Sequence, residues 1–177
     1  MTPGKQHGER LFVYCDTREL ELRHKIGEYI CETPPHVTFA KIYTDEPEKV
    51  YEVFDEVSSY YPTIPIVRNG IMMVRGHRLQ CAARLDDVSG AFAEMQERIY
   101  RKLRRRKLTV VNQNQRVANG FIPHATFGDL TSDAPLIPAE FDIDTITLAR
   151  TLPNRGMHHR NIVSHIVELS DDCVAVA

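Results

Sequence analysis

Apolar positions along this chain follow two rhythms, short continuous or alternating runs and longer stretches spaced three and four apart, and the two predict different elements. Leu11-Phe12-Val13-Tyr14-Cys15 is a short apolar run and predicts a strand. Thr17 to Tyr29 is mixed, and Leu20, Ile26 and Tyr29 mark the apolar contacts of a predicted helix. Thr33-Pro34-Pro35 ends it, because proline lacks a donor and restricts the residue before it. His36 to Tyr43 is rich in β-branched and aromatic residues and predicts a strand. Thr44-Asp45-Glu46-Pro47-Glu48 opens a helix that keeps Val50, Val53, Phe54 and Val57 on one face and ends by Tyr61-Pro62. Ile64 to Val67, Ile71 to Val74 and Leu79 to Leu85 predict antiparallel strands joined by turns at Arg68-Asn69-Gly70 and Gly76. Asp86-Asp87-Val88-Ser89 opens a second helix with Val88, Phe92, Met95, Ile99 and Leu103 as its stripe.

After an amide-rich connection from Leu108 to Gly120, a strand is predicted between Gly120 and Leu130. A proline-containing loop, Thr131 to Glu140, leads to strands at Ile143 to Leu152 and Asn161 to Leu169. The order predicts an α+β chain of two helix-on-sheet lobes. Each lobe carries one strand that faces a central cleft.

Those two strands share a motif. Pro35-His36-Val37-Thr38-Phe39 recurs as Pro123-His124-Ala125-Thr126-Phe127. A histidine two residues before a threonine on an extended strand puts both side chains on one face. An imidazole exchanges a proton near neutral pH, and a hydroxyl holds an anionic oxygen. Two copies therefore supply an acid, a base and a phosphate clamp: His36 and His124, with Thr38 and Thr126. Single short motifs of this kind arise by chance, whereas a matched pair with the same flanking proline and phenylalanine is much rarer.

Composition sets limits on partners. At 177 residues the chain is expected to be one domain, residues 1–177, made of two similar lobes. A net charge of -2 and a pI near 6.4 argue against a surface that grips long duplex nucleic acid. They leave room for a small anion in a locally basic cleft. Cys15, Cys31, Cys81 and Cys173 show no C-x-x-C spacing and read as reduced packing thiols. The polar stretch Met1 to Arg10 does not resemble a signal peptide, and no apolar run reaches spanning length, so a cytoplasmic protein without a membrane partner is expected. No zinc-ligand spacing, glycine-rich phosphate loop or Ser-His-Asp order appears, and neither metal nor cofactor is expected.

The two PHxTF motifs, their separation and the element order resemble the 2H phosphoesterase superfamily, which includes 2′-5′ RNA ligase-like proteins and 2′,3′-cyclic-nucleotide phosphodiesterases. The stretch from Gly120 to Gly128 is similar to that family's second motif, and Ile146 to Thr151 and Val167-Glu168-Leu169 are similar to its closing strands. The resemblance implies a bilobal fold with pseudo-twofold symmetry and both histidines facing one metal-independent cleft. It also implies phosphodiester substrates on small nucleotides or RNA ends. The phenylalanines after both threonines depart from the aliphatic residues frequent in the family, and there is no tryptophan to stack a base.

Further candidates surround this core reading. Tyr14, Tyr43, Phe39 and Phe127 are candidate substrate contacts, the tyrosines with core packing as the alternative. Arg150, Arg155 and His158 flank or occupy the last hairpin loop, a position suited to a substrate phosphate. His159 and Arg160 share that loop, while His24 and His165 read as structural or exposed. The run Arg101 to Lys107 sits where a helix dipole favours cations, with RNA contact as the alternative. The resemblance thus implies a phosphodiesterase acting on cyclic phosphates or 2′-5′ type diesters. Two alternatives use the same cleft: a phage enzyme that degrades cyclic oligonucleotide immune signals, and a module that sequesters a nucleotide without turning it over.

Overall fold

A computed structural model describes residues 9–30, 35–75, 79–111, 116–128, 137–152 and 160–169, with the side chains of 20, 75, 79, 127, 128 and 160 excepted. The strands are β1 (Glu9–Asp16), β2 (Tyr29–Ile30), β3 (His36–Thr44), β4 (Ile64–Arg75), β5 (Leu79–Asp87), β6 (Thr109–Val110), β7 (His124–Gly128), β8 (Glu140–Ile143), β9 (Thr145–Leu152) and β10 (Arg160–Glu168). Two helices, α1 (Pro47–Ser58) and α2 (Ala91–Arg105), follow β3 and β5. Among the described residues the strands join in the antiparallel order β2-β10-β9-β1-β3-β7-β5-β4-β8, with β6 on β3. The fold is α+β. Its two halves meet at β3 and β7, joined by the single pair Val37–Ala125.

Both helices cover one face of this sheet. Val50, Val53, Phe54 and Val57 of α1 and Phe92, Met95, Ile99 and Leu103 of α2 are buried in a core that includes Leu11, Val37 and Phe39 from one half and Ile64, Ala83 and Leu85 from the other. Phe39 packs edge-on against Phe54 and Phe92, with ring centroids 5.6 and 5.3 Å away. Lys102 of α2 pairs with Glu56 of α1, and Arg106 with Glu52 at 2.8 Å, so part of the basic run ties the two helices together. No described helix is long and apolar enough to cross a membrane. Cys15 and Cys81 are buried free thiols, while Cys31 and Cys173 lie outside the described residues.

Several predicted elements differ. Residues 17–29 form no α-helix but a 3-10 turn at Leu20–Leu22 followed by β2, and Ile26 and Tyr29 are exposed. Side-chain bonds replace helical ones there: Arg23 bonds the Arg18 carbonyl, Asp144 and Thr145. The turn predicted at Arg68-Asn69-Gly70 is a bulge within continuous β4, where Gly70 takes a φ of +84°. Val88 is exposed because α2 begins later, with the Asp87 carboxylate accepting the N–H groups of Gly90 and Ala93. Glu140–Ile143 is a separate strand on β4, and Thr109–Val110 pairs with β3 inside the predicted connection.

Buried phenols add a pH dependence. Burial raises the pKa of Tyr14 and Tyr100 and pushes Tyr61 up to about 12. An unfolded tyrosine titrates near 10. Between those values the folded chain holds protons that the unfolded chain loses, so this stability is full below about pH 10 and falls as pH rises towards 12. Urea midpoints at pH 8, 9.5 and 11 should stay level and then drop. A midpoint unchanged at pH 11 would contradict the burial of these phenols.

Candidate active site

The site is assembled by register. On β3 and β1, Asp16 lies opposite His36, Tyr14 opposite Thr38, and Phe12 opposite Lys41. Residues directly opposite share a face. His36 and Thr38 therefore share the face of Phe12 and Tyr14, away from both helices. Continuing the antiparallel pair Val37–Ala125 sets His36 level with Thr126 and Thr38 level with His124. Val37 and Ala125 are buried towards the helices, so all four motif side chains emerge on the opposite face. Each histidine is diagonal to the other, related by a local twofold through that pair.

The surroundings of the two copies are not equivalent. The His36 ring sits edge-on to Phe12 and Tyr14, 5.1 and 5.4 Å away, and its Nε2 lies 3.3 Å from Thr38 Oγ1. Beside it, the Asp16 carboxylate is buried and gripped by Arg18 through Nε at 3.0 Å and Nη2 at 2.6 Å. His124 instead donates from Nδ1 to the Ile122 carbonyl at 3.0 Å, which turns Nε2 away from that bond. Its ring leans on Phe121 at 5.2 Å, and Arg84 stands opposite it on β5, 3.6 Å from Asp86. The motif prolines lead each strand in without needing a donor, and their carbonyls are bonded by Thr17 Oγ1 (Pro35, 2.9 Å) and the Leu85 N–H (Pro123, 3.0 Å).

A bulge governs which side chains join this face. Val13 pairs with Ala40 and Tyr14 with Thr38, leaving Phe39 as the extra residue on β3. Its carbonyl accepts from Gln96 Nε2 at 3.1 Å and from the Tyr100 hydroxyl at 3.3 Å. Gln96 Oε1 in turn accepts the Val117 N–H at 2.9 Å, at the start of the 3-10 turn that leads into β7. One buried amide thus ties the first motif strand to the approach of the second. Gln96→Met is expected to cost about 1–3 kcal/mol, the penalty for orphaning a buried donor. Chemical unfolding checks it, and an unchanged midpoint would show that these bonds contribute nothing.

The bulge also reverses the alternation beyond Phe39. Ala40 and Ile42 turn into the core, and Lys41 and Tyr43 turn towards the histidine face. Strict alternation would place Lys41 inside, so the sequence alone does not single it out. Asp16, Arg18, Phe12 and Arg84 escape a sequence reading as well, because only strand pairing brings them beside the histidines.

The predicted substrate contacts separate. Tyr14 is fully buried beneath His36, next to Thr147, and presents no surface for stacking. Phe39 belongs to the core on the helix side. Tyr43 shares the histidine face but lies seven residues along β3, roughly 20 Å from His36. It lines a separate cavity of about 260 Å³ with Asp45, Lys107 and Thr109. Arg150 is opposite Leu11, on the helix face, and pairs with Glu9. His165 packs there too, flat on Tyr51 at 4.8 Å and 2.7 Å from Asp55. The Phe127 side chain, Arg155 and His158 lie outside the described residues, as do His159 and the Arg160 side chain. Among the described residues no group of three or more His, Cys, Asp or Glu converges as a metal site.

No protein-family profile matches the sequence, and no curated protein does. Solved structures do. Escherichia coli LigT complexed with NADP+ superposes with a TM-score of 0.60 at 14% identity, covering 93% of this chain and 100% of that one. E. coli LigT complexed with 3′-AMP gives 0.57 at 15% identity over 93% and 99%. TT0787 of Thermus thermophilus gives 0.59 at 16% identity over 92% and 99%. The fold is that of E. coli LigT and TT0787. At the junction of β3 and β7 the two HxT motifs of this chain come together.

Proposed function

We propose that the protein is a phosphodiesterase that opens cyclic phosphates, or cleaves 2′-5′ type diesters, on small nucleotides or RNA ends. The observation that carries this reading is the Val37–Ala125 pair, around which two histidines and two threonines emerge on one face in twofold relation. E. coli LigT structures hold 3′-AMP, NADP+ and ATP, which supports a nucleotide as the ligand class here.

For a 2′,3′-cyclic phosphate, one imidazole takes a proton from water as its oxygen bonds to phosphorus. The other imidazole gives a proton to the ribose oxygen whose bond to phosphorus breaks. For a 2′-5′ diester the neighbouring ribose hydroxyl replaces water and a cyclic phosphate is left. Thr38 and Thr126 donate to the non-bridging oxygens, where charge must be held in the transition state. The two imidazoles start in opposite protonation states, so the rate follows a bell-shaped pH profile whose two apparent pKa values belong to the pair.

The test is incubation in EDTA with 2′,3′-cyclic nucleotides, 2′-5′ oligoadenylates and cyclic oligonucleotides, with products read by mass spectrometry. An opened cyclic phosphate, or a cyclic phosphate newly formed from a 2′-5′ diester, is the expected outcome. A nucleotide bound and recovered intact would replace this reading with sequestration, and turnover of cyclic oligonucleotides alone would move it to degradation of signalling nucleotides.

A further inference from the structure

The two motif strands share little backbone pairing among the described residues. β1 zips to β3 from Glu9–Thr44 to Asp16–His36, and β5 to β7 from Cys81–Gly128 to Arg84–His124. Between β3 and β7 there is the single pair Val37–Ala125. One pair is a weak hinge for groups that must act together on the same phosphorus, because misplacement by about 1 Å can cost about a hundredfold in rate. A second connection is needed to fix one strand against the other.

Helix α2 supplies it from the far side of the sheet. Phe39, the extra residue of the β3 bulge, has no ladder partner on β1, and its carbonyl accepts from Gln96 Nε2 at 3.1 Å. Gln96 Oε1 accepts the Val117 N–H at 2.9 Å. Val117 opens a closed turn: the Gly120 N–H bonds the Val117 carbonyl at 2.9 Å, and the Phe121 N–H bonds the Arg116 carbonyl at 3.2 Å. That turn runs directly into Pro123-His124, and the Phe121 ring leans on His124. Neighbours on α2 brace the same two points. Glu97 pairs with Arg116, Arg116 stands over the Tyr100 ring at 5.5 Å, and the Tyr100 hydroxyl donates to the Phe39 carbonyl. Gln96 itself is 1% exposed and lies on the helix side, closed to substrate.

One amide therefore bonds the backbone directly after Thr38 and the turn that leads into His124. Its donor and acceptor belong to one planar group, so a shift of either strand strains the bond to the other. We propose that Gln96 is a positioning residue: it sets β7 against β3, and with it His124 and Thr126 against His36 and Thr38. The inference rests on the phosphodiesterase reading and adds to it a side chain that never meets the substrate. Removing the bridge should spare binding more than rate. A nucleotide phosphate can settle on either motif, but giving and taking a proton in one transition state needs both motifs at once.

The experiment measures steady-state turnover of the cyclic-phosphate substrate opened fastest, by wild type, Gln96→Met, Val117→Pro and Ile143→Ala, below the melting temperature of each. Val117→Pro deletes the N–H that Gln96 accepts, and Arg116 before it is already extended at ψ 131°, as a residue before proline prefers. Ile143→Ala is the stability control: a buried residue on β8, three strands from β7, whose truncation destabilises at least as much. Both bridge variants should lose about tenfold to a hundredfold in kcat with KM within about threefold, while Ile143→Ala keeps kcat within about twofold of wild type. Should Gln96→Met not fold, Val117→Pro decides alone. A bridge variant whose kcat matches that of Ile143→Ala, or that changes KM only, would overturn the positioning role. If wild type turns over no substrate, the phosphodiesterase reading fails, and interstrand NOEs between residues 36–38 and 124–126 decide the bridge separately. Signals weakened in the bridge variants and kept in Ile143→Ala uphold it, and signals unchanged in all of them overturn it.

Discussion

His36→Ala and His124→Ala are each expected to lower turnover of a cyclic-phosphate substrate by about a hundred- to ten-thousandfold, the usual contribution of a positioned proton-transfer group. Both side chains leave the sheet on the face opposite the helices, so their loss removes little from the main core. His36 contacts Phe12 and Tyr14, and His124 leans on Phe121, so a modest fall in melting temperature is expected for each variant. The two effects should not multiply. Once one proton transfer is gone, the other has no concerted partner, so the double variant should be close to the worse single one. Single-turnover rates on folded protein, with circular dichroism as the control, measure this. A folded single variant with wild-type turnover would remove that histidine from the chemistry.

Phe39→Ala is expected to act on stability instead. Phe39 closes the first motif in sequence, directly after the threonine, yet its ring is fully buried between Phe54 and Phe92. Truncating a buried phenylalanine costs about 3–5 kcal/mol through lost transfer energy and the cavity left behind. For a chain of this size that corresponds to a fall of roughly 6–20 °C in Tm. Urea unfolding reads the free energy, and nucleotide affinity of the remaining folded protein reads any contact with ligand. Unchanged stability with weakened affinity would return Phe39 to the substrate side. The contrast with the histidines separates two faces inside one five-residue motif: Val37 and Phe39 lie in the core, and His36 and Thr38 emerge on the opposite face.

Much of this protein is legible in the amino-acid order. The helical faces of α1 and α2 follow from apolar spacing, and four of the five residues predicted for the second stripe are buried. The exception, Val88, precedes the helix because Asp87 binds the N–H groups of Gly90 and Ala93 and starts it there. Both motif strands are visible because a repeat of five residues needs no tertiary information to be seen. The segment after β1 reads locally as a helix, but what shapes it is distant: Arg23 is held by Asp144 and Thr145, far along the chain. Asn-Gly in β4 suits a turn and a bulge equally, and only pairing with β5 distinguishes them.

Amino-acid order alone fixes the chemical inventory: two imidazoles and two hydroxyls on two strands, and the helices that cover one side of them. Local periodicity suffices for that, since side-chain direction within an unbroken strand or helix depends only on neighbours. Which other side chains meet them is a matter of strand pairing. Pairing across β3 and β7 joins the two motifs around Val37 and Ala125, and pairing across β1 places Asp16 beside His36. It also sends Arg150 to the helix face. One extra residue at Phe39, with its carbonyl bonded by Gln96 and Tyr100, changes the parity of the strand and turns Lys41 towards the histidines. A shift of one residue exchanges the faces of everything beyond it, and the groups that stabilise this one lie on a helix more than fifty residues away in the chain.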